Sequence, residues 1–304
     1  MPSRPIFFIG SKNIGLKALR VLHLNSKEVP IKVVTFNDTK DKRTAYLKIV
    51  EYCSLNSIEC FTLDGYHGLK NVIDKHSPTL CLVVGWYWII EKQLLNKVPG
   101  GFLGIHASLL PKYRGGAPLV WAMMNNERVT GVTLFYFNEG MDSGDIIGQR
   151  SFSILKEDAI IDVVEKSEDA AVELLNEFIP QIMNGTAPRK IQFHQEATYC
   201  SQRSEEDGHI DWTQSNDKIY NFIRAQSDPY PGAFSYLNNE KITMLKSSIF
   251  QQPYFGPSGK IVGITDKNLT ITCGSGAVII EKAMVGDQII LNFRDVFKRN
   301  GILT

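Results

Sequence analysis

Residues 6–25 read IFFIGSKNIGLKALRVLHLN, and this stretch decides the fold class. Residues 6–9 form a continuous apolar run that ends at Gly10, which is typical of a buried parallel strand followed by a tight turn. The leucines that follow, together with Val21, recur at helical spacing. A strand, a turn and a helix in this order predict the first βα unit of an α/β domain.

The same alternation continues along the first two thirds of the chain. Strands are predicted at residues 31–36, 80–85, 102–106 and 131–137, and helices at residues 47–52, 119–126 and 160–183. Because helices separate the strands, we expect an α/β fold with a Rossmann-like, mostly parallel sheet and helices on both faces.

The pattern changes after the polar segment 202–208, which is typical of a linker. One helix is predicted at residues 218–225, and turn signals such as Asn238-Asn239 follow it. Short strands are predicted at residues 233–237, 241–250, 260–265, 269–273 and 277–282. Five short strands without intervening helices favour a small β-barrel of OB-like type. We therefore expect one domain over residues 1–203 and a second over residues 204–304.

Composition and charge favour a soluble globular protein without a nucleic-acid partner. Hydrophobic residues make up 43% and charged residues 21% of the 304 residues, and the formal net charge is +1. From residue 205 onward ten Lys/Arg face eleven Asp/Glu, which argues against a C-terminal domain that holds RNA. No apolar run approaches the ~20 residues of a membrane span. A cytoplasmic protein without a membrane partner is expected.

The cysteines do not indicate a metal site. They are five in number and widely spaced, at Cys53, Cys60, Cys81, Cys200 and Cys273. No Cys/Cys or Cys/His grouping has the spacing of a zinc site, so no metal is expected. Buried, reduced thiols are the interpretation that the sequence favours.

The densest grouping of polar and glycine residues lies between residues 101 and 149. His106 ends a predicted strand, and open α/β sheets place ligands at the carboxyl ends of their strands. Asp142 lies in a Gly- and Asp-rich loop after the strand at residues 131–137. If that strand is adjacent and parallel to the first, the two side chains meet at one edge of the sheet. A carboxylate there orients the imidazole and stabilises its cationic form.

The motif around these two residues resembles that of a known family. His106-Ala-Ser-Leu-Leu-Pro-Lys-Tyr-Arg-Gly, followed by Thr130-Gly-Val-Thr and Met141-Asp-Ser-Gly-Asp-Ile-Ile, resembles the signature of the N10-formyltetrahydrofolate-dependent formyltransferases. Ile210-Asp-Trp and Pro229-Tyr-Pro-Gly-Ala-Phe-Ser resemble the second domain of the methionyl-tRNA and nucleotide-sugar enzymes. The chain looks most similar to nucleotide-sugar N-formyltransferases, such as the formyltransferase domain of the lipid A aminoarabinose enzyme. The resemblance implies N10-formyltetrahydrofolate as cosubstrate.

The same resemblance implies a set of site residues. His106 and Asp142 are two members of a catalytic trio, and Gly104 stands where the family has an asparagine. Loss of one donor to a developing oxyanion typically costs about 10²–10³ in rate, so we expect Gly104→Asn to keep or raise activity. The implied folate-binding residues are Trp86, Tyr87, Trp88, Ile89, Ile90, Leu110, Asn138, Glu139, Gly140 and Met141. The candidates for substrate contacts are Ser11, Lys12, Lys112, Tyr113 and Arg114.

For several of these residues the sequence leaves a plainer interpretation open. Residues 10–15 match neither the dinucleotide fingerprint nor a P-loop and favour a simple strand-to-helix turn. The aromatic residues at 86–88 are compatible with ordinary packing, and Lys112 and Arg114 with solvated loop charges.

Three acceptor amines fit the resemblance. The short segment 37–43 after the second strand and the slightly acidic C-terminal domain argue against tRNA, and the presence of a second domain argues against glycinamide ribonucleotide. We therefore predict formyl transfer to a dTDP-, UDP- or GDP-linked 4-amino sugar, as in O-antigen or lipopolysaccharide biosynthesis. A methionyl-tRNA formyltransferase, a formyltetrahydrofolate hydrolase, a catalytically silent binding protein and a homodimer stay open.

Overall fold

The computed structural model describes residues 4–304, which form two compact units. The first unit contains residues 4–115, Thr130–Phe152 and Glu165–Tyr199. The second contains Gly116–Val129, Ser153–Val164 and Cys200–Thr304. Two segments from earlier in the chain, Gly116–Val129 and Ser153–Val164, thus pack with the C-terminal residues. The domain boundary at residues 203/204 stays a prediction.

Helices separate most of the strands as far as residue 183. They are β1 (Ile6–Gly10), α1 (Lys12–Asn25), β2 (Ile31–Phe36), α2 (Tyr46–Leu55), β3 (Glu59–Leu63), α3 (Leu69–His76), β4 (Leu80–Val84), α4 (Lys92–Leu95), β5 (Phe102–His106), β6 (Arg114–Gly115), α5 (Pro118–Met124), β7 (Val129–Tyr136), β8 (Ile146–Ser153) and α6 (Ile160–Met183).

The remaining elements are mostly strands. They are β9 (Tyr199–Cys200), α7 (Asn216–Arg224), β10 (Ala233–Leu237), β11 (Glu240–Ile249), β12 (Ile261–Ile264), β13 (Leu269–Thr272), β14 (Ala277–Val285), β15 (Gln288–Ile289) and α8 (Phe293–Val296). Short 3-10 turns lie at His194–Glu196 and Glu206–Gly208.

The first unit is built on a seven-stranded sheet with the order β3-β2-β1-β4-β5-β7-β8. The first five of these strands are parallel. The expected mostly parallel sheet is therefore confirmed. β7 runs antiparallel to β5, with His106 opposite Thr133, so the condition that this strand be parallel to β5 is wrong.

Both faces of the sheet are covered, as the continuous apolar strands require. Every residue of β1 and β4 is buried. Because side chains alternate along a strand, Ile6 and Phe8 pack into one core with α1, α2 and α6, whereas Phe7 and Ile9 pack into another with α3 and α4. β3 was absent from the predicted elements because it is a half-exposed edge strand with little apolar signal.

The second unit holds an antiparallel sheet with the order β10-β11-β14-β13-β12, and β15 pairs with β14. The C-terminal residues connect its two edges. Tyr236 of β10 exchanges backbone hydrogen bonds with Thr304, and Leu303 donates to the carbonyl of Gly259 beside β12. The C-terminal residues therefore pair with backbone groups that would otherwise be exposed at the edges of the sheet. The β-domain expected after the linker is confirmed, and its strands are antiparallel.

A buried arginine explains why an earlier segment belongs to the second unit. Arg224 at the end of α7 donates from Nη1 to the carbonyls of Leu155 and Asp158, at 3.1 and 2.7 Å. Its Nε donates to Asn221 Oδ1 at 2.9 Å. A guanidinium held by several acceptors fixes the loop ahead of α6 against α7.

The five cysteines are free. Burial raises the pKa of Cys81 well above its usual value, that of Cys273 to about 12 and that of Cys200 to about 11. Across residues 4–304, no group of three or more His, Cys, Asp and Glu side chains is arranged to hold a metal ion. In the same range no helix combines the length and apolarity that a membrane crossing needs.

Candidate active site

His106 and Asp142 lie next to each other in the first unit. His106 ends β5 and is 8% exposed. Its Nδ1 is 3.6 Å from Asp142 Oδ2, and its Nε2 is 2.7 Å from the carbonyl oxygen of Tyr113. Since a carbonyl only accepts, Nε2 carries the hydrogen in this contact. When both ring nitrogens of His106 carry hydrogens, Nε2 faces the Tyr113 carbonyl and Nδ1 faces the Asp142 carboxylate.

The loop between β7 and β8 brings Asp142 to His106. It does so although β7 is antiparallel to β5 and its last residues lead away from His106. Asp142 has φ +46°, in the left-handed region that few non-glycine residues adopt. Its Oδ2 accepts a hydrogen bond from the backbone N–H of Gly115 at 2.8 Å. The carboxylate is therefore held from β6 on one side and faces the imidazole on the other.

Gly104 is matched to a side chain that the sequence did not single out. A Cβ added at Gly104 would lie 2.2 Å from Phe137 Cε1 and 3.2 Å from the carbonyl oxygen of Val83. Real Cβ atoms do not approach carbon that closely, so the ring of Phe137 occupies the space of an asparagine side chain at position 104. Gly104→Asn stays predicted to keep or raise activity, and the structure adds that the ring of Phe137 must shift to admit the new side chain.

The segment 86–90 has main-chain groups available for a ligand. Within the described chain, no backbone N–H or C=O of these five residues makes a hydrogen bond to another protein group. Ile90 is buried, whereas Ile89 is 84% exposed. Trp86 Nε1 is buried and also lacks a partner among the described residues. Buried polar groups are normally satisfied, so this segment suits a ligand that is bound by main-chain groups.

The second predicted folate loop lies beside the first. Lys92 Nζ, just beyond the segment 86–90, is 2.8 Å from Glu139 Oε1. Asn138 Oδ1 accepts from the Gly140 N–H at 3.0 Å and from Ser143 Oγ at 2.8 Å, which shapes the loop. Met141 is 58% exposed. Both loops therefore border the same part of the first unit.

Leu110 is buried, and its backbone N–H is held by a threonine. Thr133 Oγ1 accepts from the Leu110 N–H at 3.1 Å and donates to the Ser108 carbonyl at 2.7 Å. Leu110 packs with Phe135 and Phe137. It thus forms part of an apolar wall near Gly104.

Ser11, Lys12 and Tyr87 belong to a separate group of polar side chains that follows β1, β2 and β4. We call it the lysine cluster, and it comprises Ser11, Lys12, Asp38, Asp41, Arg43, Thr44 and Tyr87. Ser11 Oγ donates to Asp38 Oδ2 at 2.9 Å, and Thr44 Oγ1 donates to the other oxygen of Asp38. Tyr87 O–H donates to Asp41 Oδ2 at 2.7 Å.

Charges in the lysine cluster are close enough to change each other's titration. Burial and the nearby Arg43 lower the pKa of Lys12 to about 8, against the opposing effect of Asp41 and Asp38. Partial burial works against ionisation of Asp41, but hydrogen bonds from Arg43 and Tyr87 hold its pKa well below the usual range. Burial, with the Asp41 hydrogen bond, raises the pKa of Tyr87.

Of the other candidates for substrate contacts, Lys112 is exposed and Tyr113 is half-buried. Tyr113 has φ +58° and supplies the carbonyl that faces His106. Arg114 is 1% exposed, and its guanidinium donates to Gln192. Arg114 is therefore oriented toward protein groups, unlike the solvated loop charge that the sequence left open.

Sequence reasoning missed Phe137, Gln192 and the acidic residues of the lysine cluster. Asp38 and Asp41 follow β2 directly, so the rule that ligands gather at the carboxyl ends of parallel strands gave a signal for them. Gln192 lies outside every helix and strand, 50 residues after Asp142. No local pattern points to such a residue.

Comparisons with solved structures agree with this architecture. The sugar 3N-formyl transferase WlaRD, solved with dTDP and 5-N-formyl-THF, matches with TM-score 0.69 and 22% identity over 93% of this chain and 98% of its own. An N-formyltransferase from Helicobacter canadensis, in complex with folinic acid and dTDP-3-aminofucose, matches with TM-score 0.69 and 22% identity over 91% and 98%. Methionyl-tRNA formyltransferase from Clostridium thermocellum matches with TM-score 0.57 and 20% identity over 81% and 93%.

Family models match both parts of the sequence. The formyl transferase model covers residues 11–179, and the model for the formyl transferase C-terminal domain covers residues 203–301. The first match alone spans more than half of the chain and includes His106, Asp142 and the two loops that border them. The chain belongs to the formyl transferase family.

Proposed function

We propose that this protein transfers the formyl group of N10-formyltetrahydrofolate to the amino group of a nucleotide-linked amino sugar. The observation that carries the proposal is the His106–Asp142 pair, 3.6 Å apart, within a chain of the formyl transferase family. An imidazole beside a carboxylate is suited to moving protons at neutral pH.

The chemistry requires one proton to leave and another to arrive. A C–N bond forms between the acceptor amine and the formyl carbon, and the bond from that carbon to N10 of the folate breaks. The attacking nitrogen loses a proton and N10 gains one. His106 can accept the first and deliver the second, while Asp142 stabilises the ring in its charged form. Holding both substrates next to His106 supplies much of the remaining rate.

The residues present fit a reduced folate. The free main-chain groups of segment 86–90 match the hydrogen-bonding edge of a pterin, and Leu110 and Ile90 offer buried apolar surface beside it. Asn138 to Met141 border the same region through the Lys92–Glu139 ion pair. Trp86 and Trp88 pack edge-on against Phe36 of β2. These contacts support the segment 86–90, to which both tryptophans belong.

A nucleotide sugar is favoured as acceptor by the two sugar N-formyltransferases, which this chain matches over 98% of their length. Those proteins were solved with dTDP or a dTDP-linked amino sugar. Exposed Lys112, with a compact positive charge, is our candidate for a phosphate contact. The balance of ten basic and eleven acidic residues after residue 204 argues against RNA.

The test is a spectrophotometric assay of tetrahydrofolate release with N10-formyltetrahydrofolate and a panel of dTDP-, UDP- and GDP-linked amino sugars. We expect release that depends on one member of the panel. Release with formylatable methionyl-tRNA alone would identify the tRNA enzyme, and release of formate without any amine would identify a hydrolase. Ligand binding without turnover in any of these assays would contradict the proposal.

A further inference from the structure

We propose that Gln192 is a positioning residue that holds Asp142 beside His106, an inference that rests on the proposed function. Gln192 is 3% exposed and lies in the irregular segment between α6 and the 3-10 turn at His194–Glu196. A polar side chain buried outside regular structure needs partners for its whole amide. Those partners are the loop that carries Asp142 on one side and Arg114 on the other.

The amide has a partner for each of its hydrogen-bonding positions. Nε2 donates to the backbone carbonyls of Asp142 and Gly144, at 2.9 and 2.7 Å. Oε1 accepts from Arg114 Nη2 and Nε, at 2.6 and 3.2 Å. Because a guanidinium only donates and a carbonyl only accepts, this orientation of the amide is the one that satisfies both sides.

Arg114 is itself fixed. Its Nη1 donates to Tyr199 O–H at 3.1 Å, and its Nη2 lies 3.0 Å from His194 Nδ1. The next residue, Gly115, donates its N–H to Asp142 Oδ2 at 2.8 Å. Residues 114 and 115 therefore hold Asp142 twice, through its backbone by way of Gln192 and directly through its carboxylate.

Asp142 needs this support because of its conformation. With φ +46° it lies in a region that costs a non-glycine residue free energy and persists only where the surroundings impose it. The two carbonyls that Gln192 binds belong to Asp142 and to the residue two positions later. Without these bonds the loop can relax and carry the carboxylate away from His106, and a displacement of about 1 Å at such a site can cost 10²-fold in rate.

The test compares Gln192→Leu, Gln192→Glu and a control, Gln181→Leu, in kcat, KM for the formyl donor and thermal stability. Gln192→Leu removes all four hydrogen bonds. Gln192→Glu keeps a charged acceptor for Arg114, which supports folding, but has no hydrogen to donate to the Asp142 and Gly144 carbonyls. We expect kcat to fall roughly 10- to 100-fold in both, with KM for the folate within about twofold, because Gln192 does not touch the segment 86–90. Gln181 donates to a carbonyl of its own helix, α6, and its change should leave kcat unaltered.

A second measurement separates this inference from the proposed function. In protein labelled with ¹⁵N-histidine, the His106 ring resonances are assigned by their loss in His106→Ala. We expect them to move in Gln192→Glu relative to the unaltered protein, because the facing carboxylate moves, and not to move in Gln181→Leu. If no substrate is formylated but the resonances move, the proposed function fails and the positioning role stands. Unchanged kcat, or unmoved resonances in a folded Gln192→Glu protein, would overturn the role of Gln192.

Discussion

Two groups of polar residues follow strands of the same sheet, and they differ in how completely their hydrogen bonds are formed. In the lysine cluster, both oxygens of Asp38 and of Asp41 accept hydrogen bonds from side chains. In the His106–Asp142 pair, the nitrogen and oxygen that face each other are 3.6 Å apart, longer than a hydrogen bond.

The difference indicates different tasks. A network whose acceptors are saturated holds three loops rigidly and has little left to offer a reacting group. A loosely spaced imidazole and carboxylate can shorten their contact when a proton moves. We therefore expect substitutions in the lysine cluster to change stability more than chemistry, and substitutions at His106 to do the opposite.

The largest effect is expected at the histidine. His106→Ala should lower kcat for formyl transfer by about 10²–10⁴-fold, because the group that exchanges protons with both nitrogens is lost. Folate binding, measured by calorimetry, should change little. His23→Ala, which removes an imidazole of α1 that contacts Tyr52 of α2, serves as the control. Substantial turnover in His106→Ala would remove the histidine from the reaction.

The next effect is at Gly104. Gly104→Asn should lower the free energy of unfolding by about 1–3 kcal/mol, because the ring of Phe137 fills the space that the new side chain needs. Adding Phe137→Ala should recover part of this loss, and a cycle of the two changes by urea denaturation measures the coupling. Additive effects would mean that the two side chains do not compete. Activity of the double variant shows whether the family's asparagine works here once it has room.

An effect on stability of similar size is expected within the lysine cluster. Asp41→Asn should cost about 1.5–3 kcal/mol of unfolding free energy, since it weakens hydrogen bonds from Arg43 and Tyr87 to an ionised acceptor. Asp74→Asn is the matched control, because Asp74 pairs with two lysines at an exposed site, where such pairs contribute little to stability. Equal losses in the two variants would contradict the difference between a saturated cluster and surface pairs.

A last effect is a pH dependence of stability that comes from Lys12. Its pKa is about 8 in the folded protein against 10.5 in the unfolded chain. The unfolded state binds more protons between these values, so this group raises stability as pH rises through the window, by at most about 1.4 kcal/mol per pH unit. Tyr87 and the buried cysteines have raised pKa values and act in the opposite direction.

The difference between the unaltered protein and Lys12→Met isolates the lysine contribution. The unfolding free energy of the unaltered protein minus that of Lys12→Met, measured by urea denaturation from pH 7.5 to 10, should rise with pH. Parallel curves would show that the surroundings of Lys12 do not lower its pKa.

Much of the first unit was predictable because its signals are local. The strands at residues 6–10, 31–36 and 102–106 are buried apolar runs, and such runs specify a parallel sheet whatever lies elsewhere in the chain. The direction of β7 was not predictable in this way, since a buried apolar strand has the same hydrophobic pattern whether it is parallel or antiparallel to its neighbour. Asp142 still reaches His106 because the loop before β8 returns to the end of β5.

In the candidate site, too, some residues were predictable from local motifs and others only from the structure. The motif around His106 and the loop at Asp142 identified the pair by sequence, since the residue types and their spacing carry the family resemblance. Sequence reasoning treated Arg114 as a substrate contact or a solvated charge, whereas the structure buries it against Gln192, 78 positions away. Burial depends on the neighbours that the fold supplies, and a loop segment shows no periodicity that would reveal them.

By itself, the sequence determined the α/β class, the β-rich C-terminal part, the family and the histidine–aspartate pair, because apolar periodicity and compact motifs each involve only a few neighbouring residues. Only the tertiary structure decided that Phe137 fills the place beside Gly104, that Asp38 and Asp41 surround Lys12, and that Gln192 holds the backbone of Asp142. These contacts join residues tens of positions apart, and their partners are chosen by strand order and close packing rather than by local pattern.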